Sequence, residues 1–132
     1  MLELFGEPIY IYTRNQAIDD GVLVDVTEMA REAGFKVFVA ITCTLHEIIN
    51  TIPKNSCQDF EGRLWDVLYM GALAARNNPT QSTILYVLRL THGRKKNITL
   101  KMVISGGDNG EPVITIMLPE EDWYWQTKNK KV

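Results

Sequence analysis

Three runs of strand-forming residues in the C-terminal half constrain the fold more than any other feature of this sequence. They cover residues 83–91, 97–105 and 112–118. Apolar residues recur at every second position in the first two runs, and successive side chains of a strand point to opposite faces, so these two should have one buried face. Two short glycine-containing segments, residues 93–96 and 106–110, separate the runs and suit hairpin turns. The sequence therefore predicts a three-stranded antiparallel meander.

A helical pattern precedes this meander. Over residues 61–77 apolar residues recur at the spacing of one helix face, and Asn78-Pro79 ends the pattern. The apolar stripe consists of Leu64, Trp65, Leu68, Met70, Leu73 and Ala74. We expect the longest helix of the chain here, packed on the meander.

Two short helices are predicted closer to the N-terminus. Thr13 and Gln16 form a capping-box pattern before the first helix, over residues 14–20. Asp25 and Glu28 repeat that pattern before a second helix, which Gly34 ends. Both helices should therefore begin at side chains that cap their first turn.

The other N-terminal segments are less regular. Residues 8–12 alternate strand-forming residues and predict a short strand. Residues 35–41 fit either a buried strand or an apolar connector, and Thr42 or Thr44 then caps a helix that Pro53 stops. With helices before strands, the predicted class is α+β: a single globular domain over residues 1–125, followed by a flexible basic tail at 126–132.

Composition excludes several protein classes. The chain is 45% hydrophobic and 23% charged, which fits a globular domain rather than a disordered chain. Its formal net charge of -2 argues against broad attraction to polyanions. No basic leader and no run of eighteen apolar residues is present, so we expect a cytoplasmic protein with no membrane contact.

Cysteine and histidine spacing predicts no metal site and no cofactor. Cys43 and Cys57 form no CxxC pair, and His46 and His92 are not spaced with them as zinc ligands would be. Cys43 near His46 could act as an activated thiol, although an incidental thiol is the preferred interpretation. No catalytic residue is assigned.

Several segments resemble one family. They are GEPIY at 6–10, YTR at 12–14, QAIDDGVLVDV at 16–26, AREAGF at 30–35, GRLWDVL at 62–68 and GDNGEPVITIM at 107–117. Together they are similar to a domain-of-unknown-function family of small proteins from bacteria, phages and plasmids. The resemblance implies a single domain in a mobile-element context, and it supplies no catalytic residues.

Three groups of charged and aromatic residues are candidate sites. A ligand pocket or a structural ion network is predicted from Arg14, Asp19, Asp25, Arg63 and Asp66. A nucleic-acid contact or a merely solvated hairpin is predicted from Arg89, Arg94, Lys95, Lys96 and Lys101, with Tyr86 and Trp65 as stacking residues if they are exposed. A partner-binding surface or a lid on the core is predicted from Glu120, Glu121, Asp122, Trp123 and Trp125.

These groups give three functional hypotheses. The first is a non-enzymatic protein-interaction or regulatory module with an unidentified protein partner, using the C-terminal acidic and aromatic residues. The second is a nucleic-acid-binding accessory protein, and the third is a small-ligand binder or enzyme. A homodimer is a further hypothesis, because the meander should leave a strand edge that a second copy could cover.

Overall fold

The computed structural model describes residues 13–121, which form four helices and five strands around one sheet. In chain order these elements are α1 (Arg14–Asp19), β1 (Leu23–Asp25), α2 (Thr27–Ala33), β2 (Phe38–Thr42), α3 (Cys43–Asn50), α4 (Phe60–Asn77), β3 (Thr83–His92), β4 (Lys95–Gly106) and β5 (Pro112–Met117). The α+β class is confirmed. The strand expected at residues 8–12 lies outside the described residues.

The sheet is larger than the predicted meander and has mixed strand directions. Its order is β1-β2-β5-β4-β3. The pairs β3–β4 and β4–β5 are antiparallel, as expected, but β2 joins β5 in parallel and β1 joins β2 in antiparallel fashion. The prediction of a simple three-stranded antiparallel sheet is therefore wrong. Of the two alternatives for residues 35–41, the buried strand is correct, since most of β2 comes from this segment.

Helices α2, α3 and α4 cover one face of the sheet, and the main hydrophobic core lies between these helices and the sheet. The apolar face predicted for the first run is buried on β3, where Ile84, Tyr86, Leu88 and Leu90 are each no more than 8% exposed. On the opposite face α1 packs near Ala40 of β2, with Ala17 at 0% exposure. We call these the helix face and the outer face.

Local capping predictions had mixed outcomes. The Thr13 hydroxyl accepts the Gln16 N–H, and the Gln16 side chain accepts the Thr13 N–H, so this capping box is confirmed. The box predicted at Asp25 and Glu28 is wrong, because α2 begins at Thr27 and has Val26 at its cap without a side-chain bond. Asp25 instead accepts the Thr27 N–H at 3.0 Å.

The later helix boundaries agree closely with the sequence. Thr42 caps α3 by accepting the Leu45 N–H at 3.3 Å. Asp59 caps α4 by accepting the Gly62 N–H at 2.8 Å. Helix α4 then packs against β3, where the Tyr86 hydroxyl donates to the Val67 carbonyl at 3.0 Å. This packing places α4 beside the edge strand of the sheet.

Candidate functional site

A groove of about 550 Å³ runs between the first half of α4 and the last residues of β3. Its helix wall is formed by Asp59, Arg63, Trp65 and Asp66, and its strand wall is formed by residues 89–91. Since β3 is an edge strand of the sheet, this groove opens along a sheet edge.

Arg63 connects three of the elements around this groove. Its side chain is 2% exposed and donates to four groups, which are the carbonyls of Ile48, Ile49 and Thr91 and the Gln58 side chain. These bonds are 2.8 to 3.0 Å long and tie the end of α3 and the end of β3 to α4. Burial lowers the pKa of Arg63, and the nearby charge of Asp66 opposes that shift. Most of its donors are therefore used inside the protein.

Alternate residues of β3 direct their backbone N–H and C=O groups away from the sheet. The Ile104 N–H donates to the Ser82 carbonyl at 2.8 Å, so the backbone groups of residue 82 point towards β4. The register from Thr83 to Arg89 is regular, and N–H and C=O of alternate residues in an antiparallel strand point to opposite sides. The N–H and C=O groups of Thr83, Leu85, Val87 and Arg89 consequently point away from the sheet. No strand within residues 13–121 pairs with them.

Apolar side chains flank this edge on both faces of the sheet. On the outer face Leu85 is 61% exposed and Val87 is 58% exposed. On the helix face Asp66 lines the groove, and the helical spacing places Met70 and Leu73 along the same flank of α4. Met70 is exposed and Leu73 is half-buried. An extended chain lying on this edge would thus meet apolar surface on both sides.

Aromatic residues extend the exposed surface of α4. The rings of Trp65 and Tyr69 stack one helical turn apart, with centroids 6.0 Å apart. Both side chains are exposed, at 37% and 45%. Trp65 lines the groove, so the stack borders it.

A second pocket of about 300 Å³ lies elsewhere, at the outer face beside α1. Arg14 is buried there and donates to the Thr115 hydroxyl at 2.7 Å and the Ile114 carbonyl at 2.8 Å. Burial lowers the pKa of Arg14, and the charges of Asp25, Asp108 and Glu111 oppose the shift. This pocket is therefore lined by one cation and several carboxylates.

The predicted ligand residues are divided between these two pockets. Arg14 and Asp25 line the second pocket, whereas Arg63 and Asp66 line the groove. Asp19 is exposed at the end of α1 and lines neither. The structure thus does not bring the five residues into a single site.

Sequence reasoning missed the role of Asp108. Its carboxylate accepts the backbone N–H groups of Arg14 at 2.9 Å and Asn15 at 3.1 Å, and so caps the start of α1. The sequence of the glycine-rich segment that contains Asp108 predicts only a hairpin turn. No local signal could reveal this contact, because the partners are more than ninety residues apart.

The predicted basic residues are also separated. Arg94, Lys95 and Lys96 are exposed at the tip of the β3–β4 hairpin, and Arg89 lines the groove nearby. Lys101 pairs with Leu85 further along the strand, and its ammonium group donates to the Glu121 carbonyl. Of the two proposed stacking residues, Tyr86 is buried on the helix face and Trp65 is exposed.

Only part of the C-terminal set is described. Glu120 is exposed, and the Glu121 carboxylate accepts the Thr42 hydroxyl at 2.8 Å and the Leu118 N–H at 2.9 Å. Asp122, Trp123 and Trp125 lie outside the described residues, so the partner-binding role of this set stays a prediction.

Between residues 13 and 121, no three His, Cys, Asp or Glu side chains are placed to hold a metal ion together. Within the same range no helix combines the length and apolar character needed to cross a membrane. Cys43 and Cys57 are free and exposed.

A family model matches most of this chain. Residues 3–122 match the model of a family of unknown function, DUF6573. No curated protein matches the chain, and no solved structure matches it. The sequence resemblance to an uncharacterised family is thereby confirmed at the level of a family of unknown function.

Proposed function

The chain belongs to this family of unknown function, and we propose that it is a protein-interaction module that binds an extended segment of a partner protein as an added strand on β3. Strand addition supplies affinity through main-chain hydrogen bonds and specificity through alternate side chains. The proposal keeps the protein-interaction class expected from the sequence and assigns it to a different surface. The bacterial, phage and plasmid context implied by the resemblance stays part of the proposal.

The observation that supports this function is the open edge of β3 beside a groove. Four residues, Thr83, Leu85, Val87 and Arg89, present their backbone groups outward, which provides up to eight hydrogen-bonding groups. Natural proteins commonly shield such edges with charges, proline or a short strand length. Here the edge strand has ten residues, no proline and exposed apolar side chains. These features favour pairing with another chain.

The position of α4 favours a single extended segment over a second whole copy. Adjacent strands lie about 4.8 Å apart, whereas packed helices need about 8–10 Å between their axes. Helix α4 lies on its own β3, since Val67 contacts Tyr86 and Arg63 contacts Thr91. Direct pairing of two β3 strands would therefore bring the two α4 helices too close together.

Selection from a random decapeptide display library tests the proposal. Wild-type protein and the Val87→Pro variant serve as parallel baits. Proline removes the Val87 N–H, which points outward and takes no part in the β3–β4 ladder, so the variant should fold. We expect peptides with apolar residues at alternate positions to be enriched by wild type and not by Val87→Pro.

The matched control is Val87→Thr, which changes the side chain but keeps the N–H and suits a strand. This variant should enrich the same peptides as wild type. Equal enrichment by Val87→Pro would overturn the proposal. So would self-association of the wild-type chain that Val87→Pro abolishes, because a second copy would then occupy the edge.

A further inference from the structure

The open edge of β3 is electrically asymmetric along its length, and this asymmetry bears on the chemistry of the partner segment. On the basis of the proposed function, we infer that this segment carries acidic residues immediately before its apolar residues in chain order. The acidic residues would lie at the end of β3 that approaches the β3–β4 hairpin tip.

One end of the edge is surrounded by positive charge. Arg89 lines the groove, and the exposed Arg94, Lys95 and Lys96 form the hairpin tip just beyond it. At the other end, no residue from Asn77 to Leu88 is charged. Along β4, Lys101 is the one charged residue paired with Thr83–Leu88. An extended segment on β3 would therefore pass from a stretch beside one cation to an end with four exposed cations.

Acidic groups near the basic end only partly balance these charges. Asp59 and Asp66 line the helix wall of the groove, and Glu120 lies beside Lys95 in a neighbouring depression. The Asp59 carboxylate caps α4, while Asp66 lies near the buried cation of Arg63. Counting Arg63, five cations face three carboxylates in this region. The remaining positive charge favours acidic partner residues.

Strand direction converts this position into an order along the partner segment. Hydrogen bonds between antiparallel strands run perpendicular to the strands, whereas those between parallel strands are slanted and slightly less stable. Antiparallel pairing is also the commoner arrangement. An antiparallel segment places its N-terminal end beside the C-terminal end of β3, where Arg89 and the tip lie. The acidic residues therefore precede the apolar residues.

Three synthetic peptides test this order by fluorescence anisotropy. Each contains seven residues of alternating valine and threonine, and they differ by two glutamates before this core, two glutamates after it, or two lysines before it. All have capped termini. Exposed ion pairs contribute little individually, so we expect the first peptide to bind about fivefold more tightly than the second at low salt. The lysine peptide should bind most weakly, and the differences should shrink in 0.5 M salt, chosen to shorten the screening length.

Charge reversal at the tip provides the matched test. Lys95→Glu with Lys96→Glu should remove the advantage of the first peptide and leave the second peptide unaffected within about twofold. Arg31→Glu with Lys36→Glu produces the same change in net charge at exposed positions near α2, away from the groove. This control should keep the wild-type order.

The outcomes separate the inference from the proposed function. Peptide binding that Val87→Pro abolishes, with no preference for leading glutamates, would overturn the inference and leave strand addition supported. Binding of all peptides that survives Val87→Pro would overturn both. Tighter binding of a single-stranded oligonucleotide through Lys95 and Lys96, with no peptide binding, would assign the basic tip to nucleic acid and also overturn both.

Discussion

The two sides of β3 differ sharply in how far their apolar side chains are exposed. Ile84, Tyr86 and Leu88 are each at most 8% exposed against α4, whereas Leu85 and Val87 between them are about 60% exposed. Both sets are apolar and come from one uninterrupted strand. Sequence alternation identifies two faces, but apolar character alone does not show which face is covered.

This difference separates stability from binding. Burial of the helix-face side chains stabilises the fold through the removal of apolar surface from water. The outer-face side chains gain little from folding and remain free to contact another chain. Substitutions on the two sides should therefore have distinct effects, and three stability measurements can sharpen or break this distinction.

The largest effect is expected from Arg63→Met. This change leaves the buried carbonyl of Ile49 and the part-buried carbonyl of Thr91 without their donor and detaches the end of β3 from α4. We expect the free energy of unfolding to fall by about 4 kcal/mol, since each unsatisfied buried group costs about 1–3 kcal/mol. Urea denaturation followed by circular dichroism measures it.

Arg89→Met is the control for this change, because it removes the exposed arginine on the opposite wall of the groove. Its unfolding free energy should stay within about 0.5 kcal/mol of wild type. Similar losses in the two variants would contradict the structural role assigned to Arg63.

A smaller effect is expected from Leu88→Ala. Leu88 is 4% exposed, and truncating a buried leucine costs about 2–5 kcal/mol through lost contacts and a residual cavity. We expect about 3 kcal/mol at this edge strand. Val87→Ala, one residue away but 58% exposed, should cost less than about 1 kcal/mol. Equal costs would show that the outer face is covered in solution.

The smallest effect is expected from Tyr86→Phe and depends on pH. The change removes the hydrogen bond to the Val67 carbonyl and should cost about 1 kcal/mol at pH 8. Burial raises the pKa of Tyr86 above its usual value in the folded chain. In the unfolded chain the Tyr86 hydroxyl ionises near pH 10, its usual value. Above that pH the free energy of unfolding of wild type therefore falls by about 1.4 kcal/mol per pH unit.

Phenylalanine has no such ionisation. The stability difference between wild type and Tyr86→Phe should consequently shrink to about zero by pH 11, as measured by urea denaturation across the range. A difference that stays constant from pH 8 to pH 11 would contradict the burial of the Tyr86 hydroxyl.

Local patterns in the sequence were sufficient for several elements. The helix predicted over residues 61–77 is present as Phe60–Asn77, and all three C-terminal strands occur in the runs predicted for them. The capping box at Thr13 and Gln16 is also present. Each of these depends on residues within a few positions of one another, so the chain specifies them locally.

Long-range contacts limited the prediction of the candidate sites. Asp108 caps α1 from the β4–β5 turn, and Arg63 collects carbonyls from α3 and β3. Charged residues that were grouped by their character, such as Arg14 with Arg63, are divided between two pockets. Residue type indicated that buried cations would need partners, but it did not identify those partners.

By itself, the sequence determined the α+β class, the long helix and the antiparallel order of the last three strands, because periodicity and turn chemistry act over short distances. Only the tertiary structure decided that β2 pairs in parallel with β5, that β3 lies at an edge, and that a groove opens beside α4. Strand neighbours and covered faces depend on how distant segments share one core, and no local pattern encodes that choice.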